Sequence, residues 1–447
     1  MRKNIGFIST RFSGTDGVSL ESSKWAEVFE NSGHCCFWFA GKLDREKEKS
    51  FLVPEAHFQH KQNVWINQRV LGEKKRESSV TESIHALRSY LKFKLETFIA
   101  RFNIELLVVE NALTIPMNIP LGIALAEYIS ETQIPTIAHH HDFYWERTRF
   151  SVNAVGEYLT MAFPPNLPNI QHVVINSAAQ KELAHRRGIS ATIIPNVLDF
   201  ENPPLMNGKR TKDFDKKFGL KVDHTMILQP TRMIRRKGIE LAIELVKALD
   251  SKRCKLIISH EYGDEGLEYV EWIKEHASDH GVDLRIAESD IASPWNNNGD
   301  HQQNCSLWNV YRHADFITFP SLAEGFGNAF LEAIYFKKPI LINRYDTYVT
   351  DIEPKGFDLV AIDGFLTRKA VQSVRDILSS PIRRKRMVDK NYEIASACYS
   401  YSVLRKHLNT MIQSIFGDSA PRICFEPTCR QHKPCLKEKK YPAQVSG

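Results

Sequence analysis

The stretch TFPSLAEGFGNAFLEAIYFKKPILI, Thr318 to Ile342, decides the fold. The apolar run Phe316–Phe319 leads into it and Pro320 ends that run, which therefore reads as a buried strand. From Asn328 to Phe336, apolar residues fall at Ala329, Phe330, Ala333, Ile334 and Phe336, the spacing of a helix. Lys337, Lys338 and Pro339 stop that helix, and Ile340–Asn343 starts a second strand. The unit is therefore strand, glycine loop, helix, strand. Glu324 belongs to the loop and Glu332 to the helix. Along a continuous helix these carboxylates would be roughly 12 Å apart, and a loop folded over the helix start brings them closer. Gly325 and Gly327 let a ligand approach backbone N–H groups, and the helix N-terminus attracts an anion. Donors for phosphate beside carboxylates for hydroxyls suit a phosphorylated sugar. An ordinary βαβ crossover with two surface carboxylates is the bland alternative.

The same alternation runs through the chain. Strand-like runs recur as IGFIS, CFWFA, ELLVVE, PTIA, HVVIN and ATIIP in the first part, then TMILQP, CKLIIS, DLRIA, FITF, PILIN and FDLVAI in the second. Helix-like stretches separate most of them. This is the pattern of parallel, doubly wound α/β sheets whose strands are buried on both faces. About six strands on each side predict two Rossmann-like domains. The polar, proline-bearing stretch PNVLDFENPPLMNGKRTKDFDKKFG marks the seam. We place an N-terminal domain at 1–200, a second at 201–390, a C-terminal helix at 391–416 and a flexible tail at 417–447.

The 447 residues are 43% hydrophobic and 25% charged, as in a soluble globular protein, with room for two or three domains. The start, MRKNIGFIST, runs directly into a strand, so no signal peptide is expected. The most apolar long window contains Glu110 and two prolines and will not span a bilayer. A net charge of +6 fits an anionic small ligand and is too weak to argue for nucleic acid. The stretch SIHALRSYLKFKLETFIARF reads as an amphipathic helix that packs on the core; contact with a membrane surface is the lesser reading. Several of the eight cysteines sit in apolar runs, as reduced thiols would, which points to a cytoplasmic setting. Cys424, Cys429 and Cys435 crowd the tail with His432, but their spacing is not that of a zinc knuckle, and no metal is assigned.

In open α/β sheets ligands bind beyond the carboxyl ends of the strands. The first strand is followed by TRFSGTDGVS, where Gly14 and Gly17 make a loop that a substrate could approach or that is a simple turn. PTIA is followed by HHHDFYWER. Consecutive strand residues alternate faces, so three histidines cannot share one ion; a hydrogen-bonding cluster for sugar hydroxyls is the better reading. TMILQP is followed by TRMIRRKGIELAIELV, where Arg232 and Lys237 open a helix and make an anion site, while Arg235 and Arg236 read as solvated.

The combination is more specific than its parts. Strand–Arg…Lys-Gly–helix, then Pro-Ser-x-x-Glu-Gly-Phe-Gly–helix–Glu, resembles the retaining glycosyltransferases of family 4, which have the GT-B fold: two Rossmann-like domains facing a central cleft. The resemblance covers roughly residues 1–415. INSAAQKELAHRRG…IIPNVLD is similar to the family's hinge approach, although Asn196 is followed by Val197 where the family has glycine, and CYSYSVLRKHL is similar to the opening of its last helix. The first-strand loop lacks the usual glycine pair.

The resemblance implies that Arg232 and Lys237 hold the diphosphate of a nucleotide-sugar donor and that Glu332 binds the ribose. Glu324 would lie beside the transferred sugar, and the N–H groups of Gly325, Phe326, Gly327 and Asn328 would bind sugar or phosphate oxygens. His140 or His141 would face the reacting carbon with Asp142, His141 being the better match. Gly14 and Gly17 would border the diphosphate or the acceptor. The implied activity is retaining transfer of a hexose from a UDP- or GDP-linked donor to a hydroxyl acceptor, such as a saccharide, a glycan or a small metabolite. The site has no acidic metal motif, and no cofactor or metal is expected. The competing readings are a phosphorylase with a lysine-bound pyridoxal group, a sugar-nucleotide epimerase, a hydrolase with Glu324 and Glu332 as paired acid and base, or an inactive sugar-binding subunit.

Overall fold

The computed structural model describes residues 2–14, 16–203, 211–250, 252–259, 267–286 and 307–417. The cysteine-bearing tail and, of the segment IAESDIASPWNNN where base selection is expected, everything after Ile286 lie outside them.

The first domain is a parallel sheet of β1 (Asn4–Ile8), β2 (Cys35–Ala40), β3 (Ser50–Leu52), β4 (Leu106–Glu110), β5 (Thr136–His140), β6 (Ile170–Val174) and β7 (Ala191–Ile193), in the order 3-2-1-4-5-6-7. Its helices are α1 (Gly17–Asn31), α2 (Lys61–Val70), α3 (Ser78–Phe102), α4 (Ile119–Thr132), α5 (Gly156–Ala162) and α6 (Ser177–Arg187). The three-residue strand β3 was not anticipated; it is too short to show a pattern. β4 and β5 are buried at every position, because helices cover both faces of the sheet. Along α3, Ile84, Leu87, Leu91, Leu95 and Phe98 recur at three- and four-residue steps and face the core, leaving Tyr90 and Phe93 exposed. Among the described residues, no helix is long and apolar enough to cross a membrane.

The second domain repeats the plan with α7 (Lys212–Lys217), β8 (Thr225–Gln229), α8 (Ile239–Asp250), β9 (Cys254–Ile258), α9 (Leu267–Asp279), β10 (Leu284–Ile286), α10 (Leu307–His313), β11 (Phe316–Phe319), α11 (Asn328–Tyr335), β12 (Ile340–Asn343), β13 (Val360–Ile362), α12 (Arg368–Ser379) and α13 (Pro381–Tyr399). Its sheet order is 10-9-8-11-12-13, all parallel. Two doubly wound sheets make the α/β GT-B architecture. Where the sequence suggested one helix over 391–416, α13 ends at Tyr399 and α14 (Tyr401–Phe416) begins beyond the extended Ser400. Helix α14 returns to the first domain. Its Leu404, Leu408, Met411 and Ile412 are buried in the cluster that holds Trp25 and Phe29 of α1, and the Tyr401 hydroxyl donates to Glu27 at 3.1 Å. Burying each such side chain stabilises by about 1.5–3 kcal/mol.

Candidate active site

The second-domain half is built on the ends of β8 and β11. After β8 the chain makes a tight 3-10 turn, Arg235–Lys237, and α8 starts only at Ile239. Arg232 and Lys237 therefore precede the helix and do not open it. Gly238 ends the turn at φ +60°, and a Cβ there would sit 2.4 Å from the Pro320 carbonyl oxygen. That close approach brings the turn against the loop after β11. Lys237 forms an ion pair with Glu324. Arg236, expected to be solvated, donates to the other Glu324 oxygen at 3.1 Å and to the Ala323 carbonyl at 3.0 Å. Burial is the largest influence on Lys237 and lowers its pKa against the opposing pull of Glu324. Arg232 stays exposed.

Glu324 thus lies in a loop that is fixed from several sides. Thr347 donates to its carbonyl at 3.1 Å, and the Tyr345 hydroxyl donates to the Phe326 carbonyl at 2.7 Å. Gly327 has φ +104°, and a Cβ there would meet the Tyr345 hydroxyl at 2.6 Å. Phe326 turns its ring into the core against Tyr399, so only its backbone faces a ligand. Glu332, one helical stretch on, accepts from the Tyr311 hydroxyl at 2.6 Å. Burial raises the Glu332 pKa, opposed by that hydroxyl and by the Lys24 charge.

The first-domain half gathers at the ends of β4 and β5. Strand alternation separates the three histidines. His139 and His141 share a face with Glu110, whose carboxylate lies 3.0 Å from His139 Nδ1 and 3.1 Å from His141 Nε2. His140 points the other way, buried and 2.9 Å from Nδ1 of His172, so it is absent from the cleft. Burial pushes Glu110 upward, but the two imidazoles outweigh it and hold the carboxyl at about 2. Burial pulls His141 down, and Glu110 more than reverses it, raising His141. Asp142 is oriented in turn: Arg147 Nε donates to it at 2.7 Å and Asn111 at 3.0 Å, while the Asn111 side chain also accepts from the His141 backbone N–H at 2.8 Å. Glu110, His139 and His141 place three ligand atoms within 4.8 Å of one another, a set that could hold a metal ion. In this structure the carboxylate faces one nitrogen of each imidazole.

The two halves meet. The Asn176 amide donates to the Gly325 carbonyl at 2.7 Å, and the Asn196 amide donates to Asn328 Oδ1 at 2.6 Å. A Cβ on Gly325 would lie 3.5 Å from the His141 carbonyl oxygen, and one on Gly17 would lie 3.8 Å from Asn328 Nδ2. His141, Gly17, Gly325 and Asn328 therefore border one cleft. Gly14, at φ +77°, stands slightly apart, its N–H bonded to Asp44 at 2.7 Å. Glu110, Asn111 and Asn176 were not singled out from sequence. The readable sign was a lone acid closing the apolar run LLVVE; its partners follow from the register that sets Glu110 beside His139.

Residues 210–394 match the family described as Glycosyl transferases group 1. The chain is 31% identical over 441 residues to a mannosylglucosylglycerate synthase of Thermotoga maritima, covering 91% of this chain and 98% of that one. It is 33% identical over 383 residues to a mannosylglucosylglycerate synthase of Petrotoga mobilis, covering 80% and 86%. The fold resembles the crystal structure of a glycosyltransferase from Rickettsia africae with a TM-score of 0.67 at 13% identity, covering 94% and 99%. With a relative 31% identical over 91% of this chain, the chain belongs to the group 1 glycosyltransferases, the retaining family 4 enzymes of the GT-B fold, which move a sugar from a nucleotide-sugar donor to a hydroxyl acceptor.

Proposed function

We propose that this enzyme transfers mannose, with retention, from a UDP- or GDP-linked donor to a hydroxyl of glucosylglycerate. The observation that carries the reading is the match to a mannosylglucosylglycerate synthase over 98% of that protein's length. In this reading Arg232 and Lys237 hold the donor diphosphate, Glu332 the ribose hydroxyls, and the N–H groups of Gly325 to Asn328 the sugar or phosphate oxygens. Glu324 sits beside the transferred sugar. His141 and Asp142 face it from the other domain, and Gly14 and Gly17 border the diphosphate or acceptor.

The chemistry follows from charge. As the glycosidic bond breaks, negative charge grows on the leaving diphosphate and positive charge on the anomeric carbon. Fixed cations and N–H donors stabilise the first more in the transition state than in the ground state. The acceptor hydroxyl attacks from the face that the diphosphate leaves, and a diphosphate oxygen takes its proton. Glu324, held by Lys237 and Arg236, serves as a neighbouring charge and not as a covalent nucleophile. No divalent metal is needed in this scheme.

The test is direct. Purified enzyme with GDP-mannose or UDP-mannose and glucosylglycerate should yield a product heavier by one hexose, with the anomeric configuration of the donor retained by NMR. The yield should be unchanged by EDTA and abolished in Arg232→Ala. Thermal-shift measurements with UDP, GDP and ADP then name the base. Transfer of glucose and not mannose, or to a sugar lacking the glyceryl group only, would overturn the reading.

A further inference from the structure

A group of basic side chains beyond the ends of β1, β2 and β3 is not used by the site described above. The chain leaving β1 and the chain leaving β2 run on side by side. Gly41 donates its N–H to the Thr10 carbonyl at 3.1 Å, Phe12 donates to the Lys42 carbonyl at 2.9 Å, and Phe12 bridges Leu43 in parallel. The segment after β3 closes on them: a Cβ on Gly41 would fall 1.9 Å from the His57 nitrogen. Three neighbouring strand ends thus bring Arg11, Lys42, His57 and His60 into one place. Arg11 pairs with Asp16 at 3.1 Å, and Asp16 caps α1, whose Gly17 reaches Asn328 of the facing domain. The group therefore borders the cleft from the first domain.

Its charges do not cancel. Arg45 is spent on Asp44, on the Ser19 carbonyl at 3.0 Å and on the Ser23 hydroxyl at 2.8 Å. Arg11 has Asp16. Lys42 is exposed and has no acidic partner among the described residues. Two buried imidazole atoms, His57 Nε2 and His60 Nδ1, have no hydrogen-bond partner among the described residues. His57 Nδ1 accepts from the Gln59 N–H at 3.2 Å, so in the neutral ring the proton is on Nε2, as an unspent donor. Burial, aided by the Arg11 and Lys42 charges, lowers the His57 pKa and keeps that ring neutral. One uncompensated cation and an idle N–H suit one singly charged oxygen acid; a phosphate monoester would bring more charge than they offset.

We propose that Lys42, with Arg11 and His57 Nε2–H, binds the carboxylate of the acceptor's glyceryl group. This deepens the reading above and rests on it for the identity of the acceptor. It makes the enzyme selective for an acidic aglycone over its neutral analogue.

The experiment compares glucosylglycerate with glucosylglycerol, in which the carboxylate is a hydroxymethyl group. The ratio of kcat/KM for the two should favour the acid in the wild type. It should fall about tenfold in Lys42→Ala, mostly through KM, and recover in Lys42→Arg. Lys42 is exposed, so the variant should fold. Independently of transfer, saturation-transfer NMR on the nucleotide-saturated enzyme should show D-glycerate binding that Lys42→Ala removes, with glycerol silent. Lys42-dependent glycerate binding without transfer to either glycoside would sink the acceptor reading and leave the carboxylate site standing. An unchanged ratio or unchanged glycerate binding in Lys42→Ala would overturn the site. Tighter binding of 3-phosphoglycerate than of glycerate would overturn its assignment to a lone carboxylate.

Discussion

At the scale of residues, the decisive arrangement is the carboxylate of Glu110 between two imidazoles. Because Glu110 raises His141, Glu110→Gln should move the His141 titration to lower pH. NMR titration of the ring and the pH–rate profile should shift together, and kcat should drop by about 10²-fold, in the range of lost acid–base or orienting groups. On the opposite face, burial lowers His140 well below its usual value and His172 to about 4. A folded-state pKa below the unfolded one means that the unfolded chain binds more protons between about pH 6.5 and 4. Stability should therefore fall as pH drops through that window, His172 contributing up to about 3 kcal/mol. His172→Asn should flatten the dependence of the urea midpoint on pH there; an unchanged slope would refute the assignment. Part of this was legible: strand periodicity alone separates His140 from its neighbours. The partners were not, because neither Glu110 nor His172 is near the histidines in sequence, and only strand pairing brings them together.

At the scale of elements, two glycine-dependent turns set the second-domain half of the cleft. Alanine at 238 would need φ +60° and would press on Pro320, and alanine at 327 would need φ +104° and would press on Tyr345 and Phe319. Each should cost at least about 1–3 kcal/mol, seen as a lower melting temperature. Gly327→Ala should also weaken nucleotide-induced stabilisation, since it displaces the loop carrying Glu324. The strand–loop–helix unit around this loop could be read from sequence because its strand, stop and helix signals agree. The start of α8 could not: the apolar spacing after Lys237 is continuous, and the 3-10 turn depends on the contact between Gly238 and Pro320, which is long-range.

At the scale of the molecule, several polar contacts tie the two domains together. The Ser177 N–H, at the start of α6, donates to Asp351 of the second domain at 2.7 Å, and the Ser177 hydroxyl donates to the same carboxylate at 2.5 Å. Asn176–Gly325 and Asn196–Asn328 also cross, and the Tyr335 hydroxyl donates to the Asp199 carbonyl at 3.1 Å. Asp351→Ala should loosen this closure. Small-angle scattering should then show a larger radius of gyration without nucleotide and recovery with it; no difference from the wild type would argue against a latch. The two-domain plan was legible from the alternation of elements. These contacts were not, because they depend on how the domains face each other.

The chain passes between the domains at two described places, near Leu198 and near Ser400. These lie together: Leu198 donates to the Tyr399 carbonyl at 3.0 Å, and Leu198 and Ser400 form a parallel bridge. Both polar groups of the Val197 backbone are clamped by the buried pair Glu21 and Lys24, at 3.2 and 2.7 Å. Mechanically this is one pin and not two separate tethers. A body mounted on a single pin can swing but can neither slide nor twist freely. Rotation about such a pin would keep the second domain in one alignment with the first, and a small angle at the pin would become a wide displacement at the far lip of the cleft.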